Sequence, residues 1–410
     1  MNKIKIWKGS HSEEVYSLIK ETYEAKEQTL ILCPPRIKNI MSYLQFLPAG
    51  EVSFYGDFSE DTFVNTSENN FSQYPKFGLF STGTTSASEK LILYTNKNFD
   101  HSIDGILTFF CEDSFECVYS YPQPYHVFGL SLGYILSIKS KLDLIYSVGH
   151  YSRDSHILWV DSVKSCVGKI LTLGTPTHFR DLMKSLDVVP PRSYANIIGG
   201  ASVSTELWHE TRNKLNILNP SIGYGCSEAS PGITHLEAGV APLNDGSLGK
   251  LIPNIKLELH NSSIKVFGDN VCLGYIQENK YIEMNGELIV NDMLEIDEEL
   301  SYHFRGRSDL IVNRGGENFS IEEIELFLKS KLEAEVVVTF IKDERLGYDL
   351  VFLLESECKG TEEKLLTSLS DKYQRSFRKE NILYVESFPM NANSKLDRKK
   401  CANLVKDIHV

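Results

Sequence analysis

The chain of 410 residues lacks the features that mark secreted, membrane or nucleic-acid-binding proteins. Its opening, MNKIKIWKGSHSEE, contains no apolar signal-peptide core, and its longest apolar stretch, residues 127–138, is too short to span a bilayer. Basic residues number 42 against 55 acidic ones, which gives a formal net charge of −13. Because an acidic surface repels nucleic acid and anionic membranes, we expect neither as the main partner, and we expect a cytoplasmic location.

The eight cysteines form no C-x-x-C pair, and none stands beside a histidine at the spacing of a metal site. This scatter favours buried, reduced thiols. The sequence also has no internal repeat and no low-complexity tract. With 42% hydrophobic and 24% charged residues, it has the composition of a globular protein that is long enough for two or more domains.

The apolar pattern predicts a large α/β region. Residues 11–48 indicate one or two helices around a strand, residues 77–95 indicate two strands around a loop, and residues 96–110 indicate a helix. Between residues 155 and 290, short apolar runs alternate with helical patterns, which indicates layered α/β structure. These runs are ILWV, ANIIGG, KLELH, SIKVFG and ELIVND.

The pattern changes near residues 306–309. A capping box formed by Ser320 and Glu323 predicts a helix start. The strands EVVVTFI and YDLVFLLE, a helix over residues 361–375 and the strand NILYVE follow. We therefore expect two domains, a large one over residues 1–305 and a small α+β domain over residues 306–410.

Several short motifs are individually weak. The stretch FSTGTTSASEK at residues 80–90 offers many hydroxyl groups and a lysine, so it indicates either a solvated turn or a phosphate cradle. It lacks the second glycine of a P-loop. The stretch GLSLG at residues 129–133 matches a hydrolase nucleophile elbow, but the prolines before it exclude the strand that an elbow needs. IIGGA, YGCSEAS and NSKLDR are each compatible with ordinary turns or a solvated tail.

The order of these stretches over residues 77–400 resembles the adenylate-forming superfamily. This group includes acyl- and aryl-CoA synthetases, peptide-synthetase adenylation domains and luciferase. The resemblance implies a large N-terminal α/β domain with a small C-terminal α+β lid, and a two-step reaction. A small carboxylic acid first attacks the α-phosphate of ATP, with Mg²⁺ as cofactor, and gives an acyl-adenylate and pyrophosphate. A thiol of CoA, or of the phosphopantetheine on an acyl or peptidyl carrier protein, then takes the acyl group.

The resemblance also assigns roles to residues of this chain. It implies catalytic roles for Lys395, which bridges the α-phosphate and the acid, for Glu228, which holds Mg²⁺, and for His126 in the wall of the acid pocket. Asp309 matches the hinge, and Gly315 and Gly316 match the loop that lines the thiol tunnel. The residues implied in ATP binding are Ser81, Thr82, Gly83, Thr84, Thr85, Lys90, Gly199, Gly200, Ala201, Gly223, Tyr224, Gly225, Ser227, Asp292 and Arg307.

The sequence departs from the family pattern at several positions. Ser86 and Ser88 stand where the phosphate loop usually has glycine and proline, and Ser394 replaces a glycine near the C-terminus. The phosphate loop also begins early in the chain, so we expect a shortened lead over residues 1–75. Three hypotheses therefore stay open. They are an acid–CoA ligase, a stand-alone enzyme that loads a carrier protein, and a degenerate relative that binds nucleotide without catalysis. The identity of the acid and the oligomeric state stay open as well.

Overall fold

The structure is a computed structural model. It describes residues 2–37, 39–58, 60–67, 69, 71–82, 89–110, 115–148, 152–166, 169–315, 317–390 and 396–408. The chain divides into two compact units. Unit 1 comprises residues 1–259, 264–290 and 295–304, and unit 2 comprises residues 260–263, 291–294 and 305–410.

The first sheet of unit 1 is built around the buried apolar strand that the run TLILC predicts. Its spatial order is β17, β16, β6, β5, β2, β1, β3, β4. The strands are β1 Lys3–Lys8, β2 Gln28–Cys33, β3 Gly50–Gly56, β4 Phe63–Asn65, β5 Phe77–Thr82, β6 Glu89–Tyr94, β16 Gly274–Gln277 and β17 Lys280–Glu283. β1 is parallel to β2 and β3, and β2 is parallel to β5. Every residue of β2 is buried, as is typical of a central parallel strand.

The second sheet contains the strands whose ends carry most of the predicted site. Its spatial order is β19, β20, β13, β12, β11, β10, β9, β7, β8. The strands are β7 Cys117–Ser120, β8 Asp143–Ile145, β9 Ile170–Gly174, β10 Ser193–Ile198, β11 Ile217–Tyr224, β12 Thr234–Leu236, β13 Ser247–Leu251, β19 Asp292–Ile296 and β20 Tyr302–Arg307. A third sheet has the order β14, β15, β18, with bounds Lys256–His260, Ser263–Phe267 and Glu287–Val290.

Helices cover these sheets. They are α1 Glu13–Glu24, α2 Met41–Leu44, α3 Asn96–Leu107, α4 Leu136–Ser140, α5 Arg153–Ser165, α6 Pro176–Lys184 and α7 Thr205–Lys214. The predicted helix over residues 96–110 is confirmed as α3, which begins at a capping box of Thr95 and Asn98 and buries Phe99, Ile103 and Ile106.

The run ILWV was expected to be one of the short strands. This expectation was wrong, because the run lies inside the helix α5. Only Trp159 of these four residues is fully buried, at 0% exposure, while Ile157 is 54% exposed. A run of four apolar residues cannot by itself distinguish a strand from a helix with one buried face. The stretch GLSLG does not form a nucleophile elbow, because Ser131 lies fully buried in a π-helical segment and donates to the Ser230 carbonyl at 3.2 Å.

Unit 2 has one sheet with the order β22, β21, β24, β23, and β25 pairs with β24. The strands are β21 Ile311–Arg314, β22 Glu317–Ser320, β23 Val336–Asp343, β24 Gly347–Glu355 and β25 Ile382–Val385. The helices are α8 Ile321–Leu332, α9 Glu362–Tyr373 and α10 Arg398–Ile408. The predicted strands and helices of this region are confirmed. Ser320 caps α8, because its hydroxyl accepts from the Glu323 amide at 3.3 Å.

Among the described residues, no helix has both the length and the apolar character that a bilayer requires.

Candidate functional site

The predicted phosphate loop joins two paired strands. β5 and β6 are antiparallel, with Ser81 opposite Lys90 and Thr82 opposite Glu89, so the two predicted strands are confirmed. The loop itself, residues 83–88, lies outside the described residues, and with it Gly83, Thr84 and Thr85. Arg36 donates to the Glu89 carboxylate at 2.8 Å beside the strand end. The two ends of the loop therefore lie side by side at the edge of a hairpin.

Lys90 brings the end of this hairpin together with Glu228, which is 138 residues away in the sequence. The Lys90 ammonium Nζ lies 3.5 Å from Glu228 Oε1, and the two side chains are 24% and 19% exposed. The same nitrogen lies 4.7 Å from the centroid of the Tyr275 ring. Tyr275 pairs with Ile92 across β16 and β6, so Lys90 is its diagonal neighbour on one sheet face. The site thus places a cation between a carboxylate and an aromatic ring.

Backbone contacts fix the turn that carries Glu228. Ser227 and Glu228 lie in a 3₁₀ turn after β11. The Glu228 carbonyl accepts from the Cys272 amide at 2.8 Å, and the Ser227 carbonyl accepts from the Tyr94 hydroxyl at 2.9 Å. Burial raises the pKa of Tyr94 well above its ordinary value, which keeps the phenol protonated as a donor. The turn is therefore held from β6 and from the segment before β16.

Gly225 is needed for this turn to close. A Cβ at Gly225 would lie 1.6 Å from the Pro231 carbonyl oxygen, far inside any real contact. Gly199 and Gly223 also lie close together, because a Cβ at Gly199 would be 3.3 Å from the Gly223 carbonyl oxygen. A side chain at Gly225 would therefore displace the turn that carries Glu228.

The remaining predicted residues of unit 1 follow the carboxyl ends of neighbouring parallel strands. β7, β9, β10 and β11 run parallel, so the segments after them meet at one edge of the sheet. Gly200 and Ala201 follow β10, and Tyr224 ends β11. Half-buried His126 follows β7, and its carbonyl accepts from the Leu130 amide at 2.8 Å. This edge is where open α/β sheets bind ligands.

A buried polar group behind Gly223 was not predicted. Ser221 donates to the Asn196 carbonyl at 2.6 Å, so its oxygen is left to accept from His235 Nε2 at 3.2 Å. This contact assigns the Nε2–H tautomer to His235. His235 Nδ1 has no hydrogen-bond partner among the described residues, and it lies 3.4 Å from the ideal Cβ position of Gly223. Burial lowers the pKa of His235 to about 3, so the ring is neutral.

Acidification is expected to destabilise unit 1 through this histidine. Because the folded pKa lies below the unfolded value near 6.5, the unfolded chain takes up the proton first as the pH falls. The stability is fully present above that unfolded value and is lost progressively toward about pH 3. Urea unfolding can be followed by tryptophan fluorescence, because Trp7, Trp159 and Trp208 all lie buried in unit 1.

Burial also lowers the pKa of His11 and of His178 to about 4, so both contribute to the loss of stability of unit 1 as the pH falls. His235→Gln retains an amide donor for Ser221 and removes one titrating group. Between about pH 6.5 and 5, it is expected to reduce the slope of the unfolding free energy by up to about 1.4 kcal/mol per pH unit. An unchanged slope in this variant would refute the assignment of His235 as a neutral buried group.

In unit 2, Asp292 and Arg307 form an ion pair. Arg307 Nη1 donates to Asp292 Oδ1 at 2.9 Å, and the side chains are 23% and 9% exposed. Asp309 lies in the 3₁₀ turn Ser308–Leu310. Gly315 has φ +62°, and its amide donates to the Leu346 carbonyl at 2.9 Å. Gly316 lies outside the described residues.

Lys395 also lies outside the described residues, within the segment 391–395, but both ends of that segment are held. Met390 and Leu396 form an antiparallel bridge, and the Asp397 amide donates to the Pro389 carbonyl at 2.8 Å. Arg398, at the start of α10, donates to both carboxylate oxygens of Glu325, at 2.8 and 2.6 Å. This bidentate pair could not be predicted from the sequence, since its two residues are 73 positions apart.

Candidate metal ligands do not cluster in the described part of the chain. No group of three or more histidine, cysteine, aspartate or glutamate side chains there could hold a metal ion on its own. Glu228 is therefore not part of such a group and would offer a metal ion one carboxylate. Such a ligand suits a Mg²⁺ ion that also takes oxygens from substrate phosphates and water.

Known proteins resemble this chain over most of its length. It is 26% identical over 307 residues to the mitochondrial medium-chain acyl-CoA ligase of Mus musculus, which covers 68% of this chain and 49% of the relative. It is 25% identical over 354 residues to the 2-succinylbenzoate–CoA ligase of Bacillus cereus, which covers 80% of this chain and 70% of the relative. The chain thus spans about half the length of the first of these curated relatives.

Solved structures of adenylate-forming enzymes share its fold. One is the Bacillus subtilis o-succinylbenzoate CoA synthetase in complex with its acyl-adenylate intermediate, with TM-score 0.75, 17% identity, and coverage of 98% of this chain and 88% of that one. Another is ATP-bound MatB from Rhodopseudomonas palustris, with TM-score 0.79, 16% identity, and coverage of 100% and 90%. The predicted fold class is therefore confirmed. A sequence profile of the AMP-binding enzymes matches residues 25–276, more than half of the chain, so this protein belongs to the AMP-binding enzyme family.

Proposed function

We propose that this protein activates a small carboxylic acid with ATP as an acyl-adenylate and transfers the acyl group to the thiol of CoA. The observation that carries the proposal is the 3.5 Å contact between Lys90, at the end of the hairpin, and Glu228, on the turn after β11. The curated relatives that are named acid–CoA ligases support the same reaction class. Charge stabilisation around phosphate is the main demand of such chemistry.

The nucleotide is proposed to lie along the carboxyl edge of the second sheet. Ser81, Thr82 and the loop after them would cradle the phosphates with Lys90. Gly200, Ala201 and Ser227 would border the nucleotide, with adenine against Tyr224. In unit 2, the Asp292 carboxylate is suited to accept hydrogen bonds from ribose hydroxyls, and Arg307 holds that carboxylate in place at 2.9 Å.

Glu228 is the proposed Mg²⁺ ligand. A bound Mg²⁺ would supply positive charge to the phosphate oxygens. The Lys90 ammonium lies 3.5 Å from the Glu228 carboxylate and so directs it to the hairpin end. His126, half-buried after β7, is proposed to form a wall of the acid pocket. The buried hydrogen bond between His235 and Ser221 lies next to Gly223, on the side to which a Cβ of that residue would point.

The two half-reactions need different groups near one phosphate. We propose that residues 1–305 and 306–410 act as separate domains, with Asp309 as their hinge. Lys395 would serve adenylate formation, and Gly315 and Gly316 would line the path of the thiol. A few residues at a domain boundary can absorb a large change of backbone angles. The expected cytoplasmic location stays a prediction, which cell fractionation would test.

The deciding experiment is ATP–pyrophosphate exchange with a panel of aliphatic, aromatic and amino acids. Exchange that depends on one class of acid supports the proposal, and no exchange with any acid would favour a nucleotide-binding relative without catalysis. Thioester formation with CoA should then be compared with transfer to a phosphopantetheinylated carrier protein. Product on the carrier alone would move the acceptor from CoA to the carrier.

Glu228→Gln is expected to lower kcat/KM for ATP by roughly 10- to 100-fold, because the amide keeps the shape but loses the charge that holds a hard dication. The loss should shrink as Mg²⁺ is raised. Glu210→Gln is the matched control, since Glu210 is a partly exposed carboxylate that pairs with Lys214 at 2.6 Å on α7. Wild-type activity of Glu228→Gln at every Mg²⁺ concentration would assign Glu228 a structural role only.

Tyr275→Leu is expected to raise KM for ATP about threefold to tenfold with a small change in kcat, because the Lys90 ammonium loses the face of the ring. Tyr275→Phe retains an aromatic face and should behave like wild type. Steady-state kinetics of both variants measure the difference. If phenylalanine is as damaging as leucine, the hydroxyl and not the ring face is what matters.

A further inference from the structure

Two cysteines that are 49 residues apart in the sequence have their sulfur atoms in contact. Cys117 opens β7, and Cys166 follows the last residue of α5. Their Sγ atoms are 2.7 Å apart. The chain places them together because Cys117 pairs with Ile170, the first residue of β9, and the Lys169 amide donates to the Cys166 carbonyl at 3.0 Å.

We propose that Cys117 and Cys166 are an oxidation site that forms a reversible disulfide within unit 1. Both are free thiols in the structure. A disulfide bond requires an S–S distance of about 2.05 Å, so the sulfurs need to move only a fraction of an ångström. The general expectation of inert buried thiols therefore does not extend to this pair.

The reaction balances with a small-molecule disulfide such as glutathione disulfide as the oxidant. The Cys166 thiolate attacks one sulfur, which releases one glutathione thiolate and leaves a mixed disulfide on Cys166. The Cys117 thiolate then attacks Cys166 Sγ and releases the second glutathione. Two electrons pass from the protein to the oxidant, and the two thiol protons pass to the glutathione thiolates or to solvent.

Accessibility sets the order of these steps. Cys166 is half-buried and can meet the oxidant, whereas Cys117 is 1% exposed. Burial raises the pKa of the Cys117 thiol, and the contact with Cys166 and the charges of Asp143 and Glu116 raise it further. Of these two carboxylates, Glu116 pairs with Lys169 at 2.7 Å. The second step should therefore be slow at neutral pH and faster as the pH rises, so glutathione accumulates transiently on Cys166.

The bond lies away from the proposed catalytic edge. Cys117 is at the amino end of β7, whereas His126 follows its carboxyl end. Oxidation should therefore leave the basal activity unchanged and close a loop of 49 residues. Closing such a loop is expected to raise the melting temperature of unit 1, read by tryptophan fluorescence, by roughly 5 °C.

The test incubates the full chain with glutathione disulfide and maps its peptides by mass spectrometry without reduction. The expected product links the peptides of Cys117 and Cys166, is lighter by two hydrogen atoms, and returns to thiols with dithiothreitol. Cys166→Ser should abolish the link, and Cys358→Ser is the matched control because Cys358 is also half-buried. Mapping of the wild-type chain alone decides the matter if a variant fails to fold. Glutathione that stays on Cys166, or links only among other cysteines, would overturn the proposal.

Discussion

Replacing Asp349 by alanine is expected to destabilise unit 2 by about 3–5 kcal/mol, because it leaves the buried Arg314 guanidinium without its counter-charge. Asp349 is 1% exposed, and its Oδ1 accepts from Arg314 Nε at 2.6 Å. Its other oxygen accepts from Asn381 Nδ2 at 3.1 Å and lies 3.4 Å from Arg378 Nε. One carboxylate thus neutralises or fixes three side chains from separate parts of the fold.

The effect should be confined to unit 2. Arg314 also donates to the Ser376 carbonyl at 2.9 Å and lies 4.8 Å from the Phe377 ring centroid, so it cannot leave the interior without disrupting that packing. Hydrogen exchange of peptides from β23 and β24 measures the loss. Tryptophan fluorescence should stay unchanged, because all three tryptophans lie in unit 1.

A matched control tests whether burial is the cause. Glu335 pairs with Lys329 in the same unit, but its side chain is 59% exposed. Glu335→Ala should therefore cost less than about 1 kcal/mol. Equal acceleration of hydrogen exchange in both variants would show that the loss of any ion pair destabilises unit 2 to this extent. Burial of the Asp349 carboxylate would then not be the cause.

The elements of the fold could be predicted where periodicity was clear. The strands around residues 80–90, the helix α3 and the order of elements in unit 2 each follow from alternating or helical apolar patterns. The run ILWV was misassigned because four apolar residues satisfy either period. What the sequence could not supply is which side of each element faces its neighbours.

The same limit applies to the site. The motifs pointed to Lys90 and Glu228 separately, but their 3.5 Å approach depends on sheet register and on a turn held by Tyr94 and Cys272. No motif indicated Tyr275, because its contact with Lys90 arises only from their diagonal positions on neighbouring strands. Contacts between residues far apart in the chain are fixed by packing, and one sequence contains no direct record of them.

Lys395→Ala is expected to lower acid-dependent pyrophosphate exchange by about 10²–10³-fold and to spare most thioester formation from a supplied acyl-adenylate. A positioned cation at a developing phosphate charge is worth about this much. The ends of its segment are held by the Met390–Leu396 bridge and by the Arg398–Glu325 pair. The residues on both sides of the segment are therefore anchored. Only the first half-reaction creates the phosphate charge that Lys395 would meet.

A neighbouring lysine supplies the control. Lys399 is an exposed residue of α10, so Lys399→Ala removes the same charge four positions later without touching the anchors. Exchange in that variant should stay near the wild-type rate, because an exposed charge is screened by water and salt. Near-normal exchange in Lys395→Ala would refute the catalytic assignment. An equal fall in both half-reactions would mean that the substitution disturbs α10 as a whole, since Cys401 and Val405 anchor that helix in the buried core of unit 2.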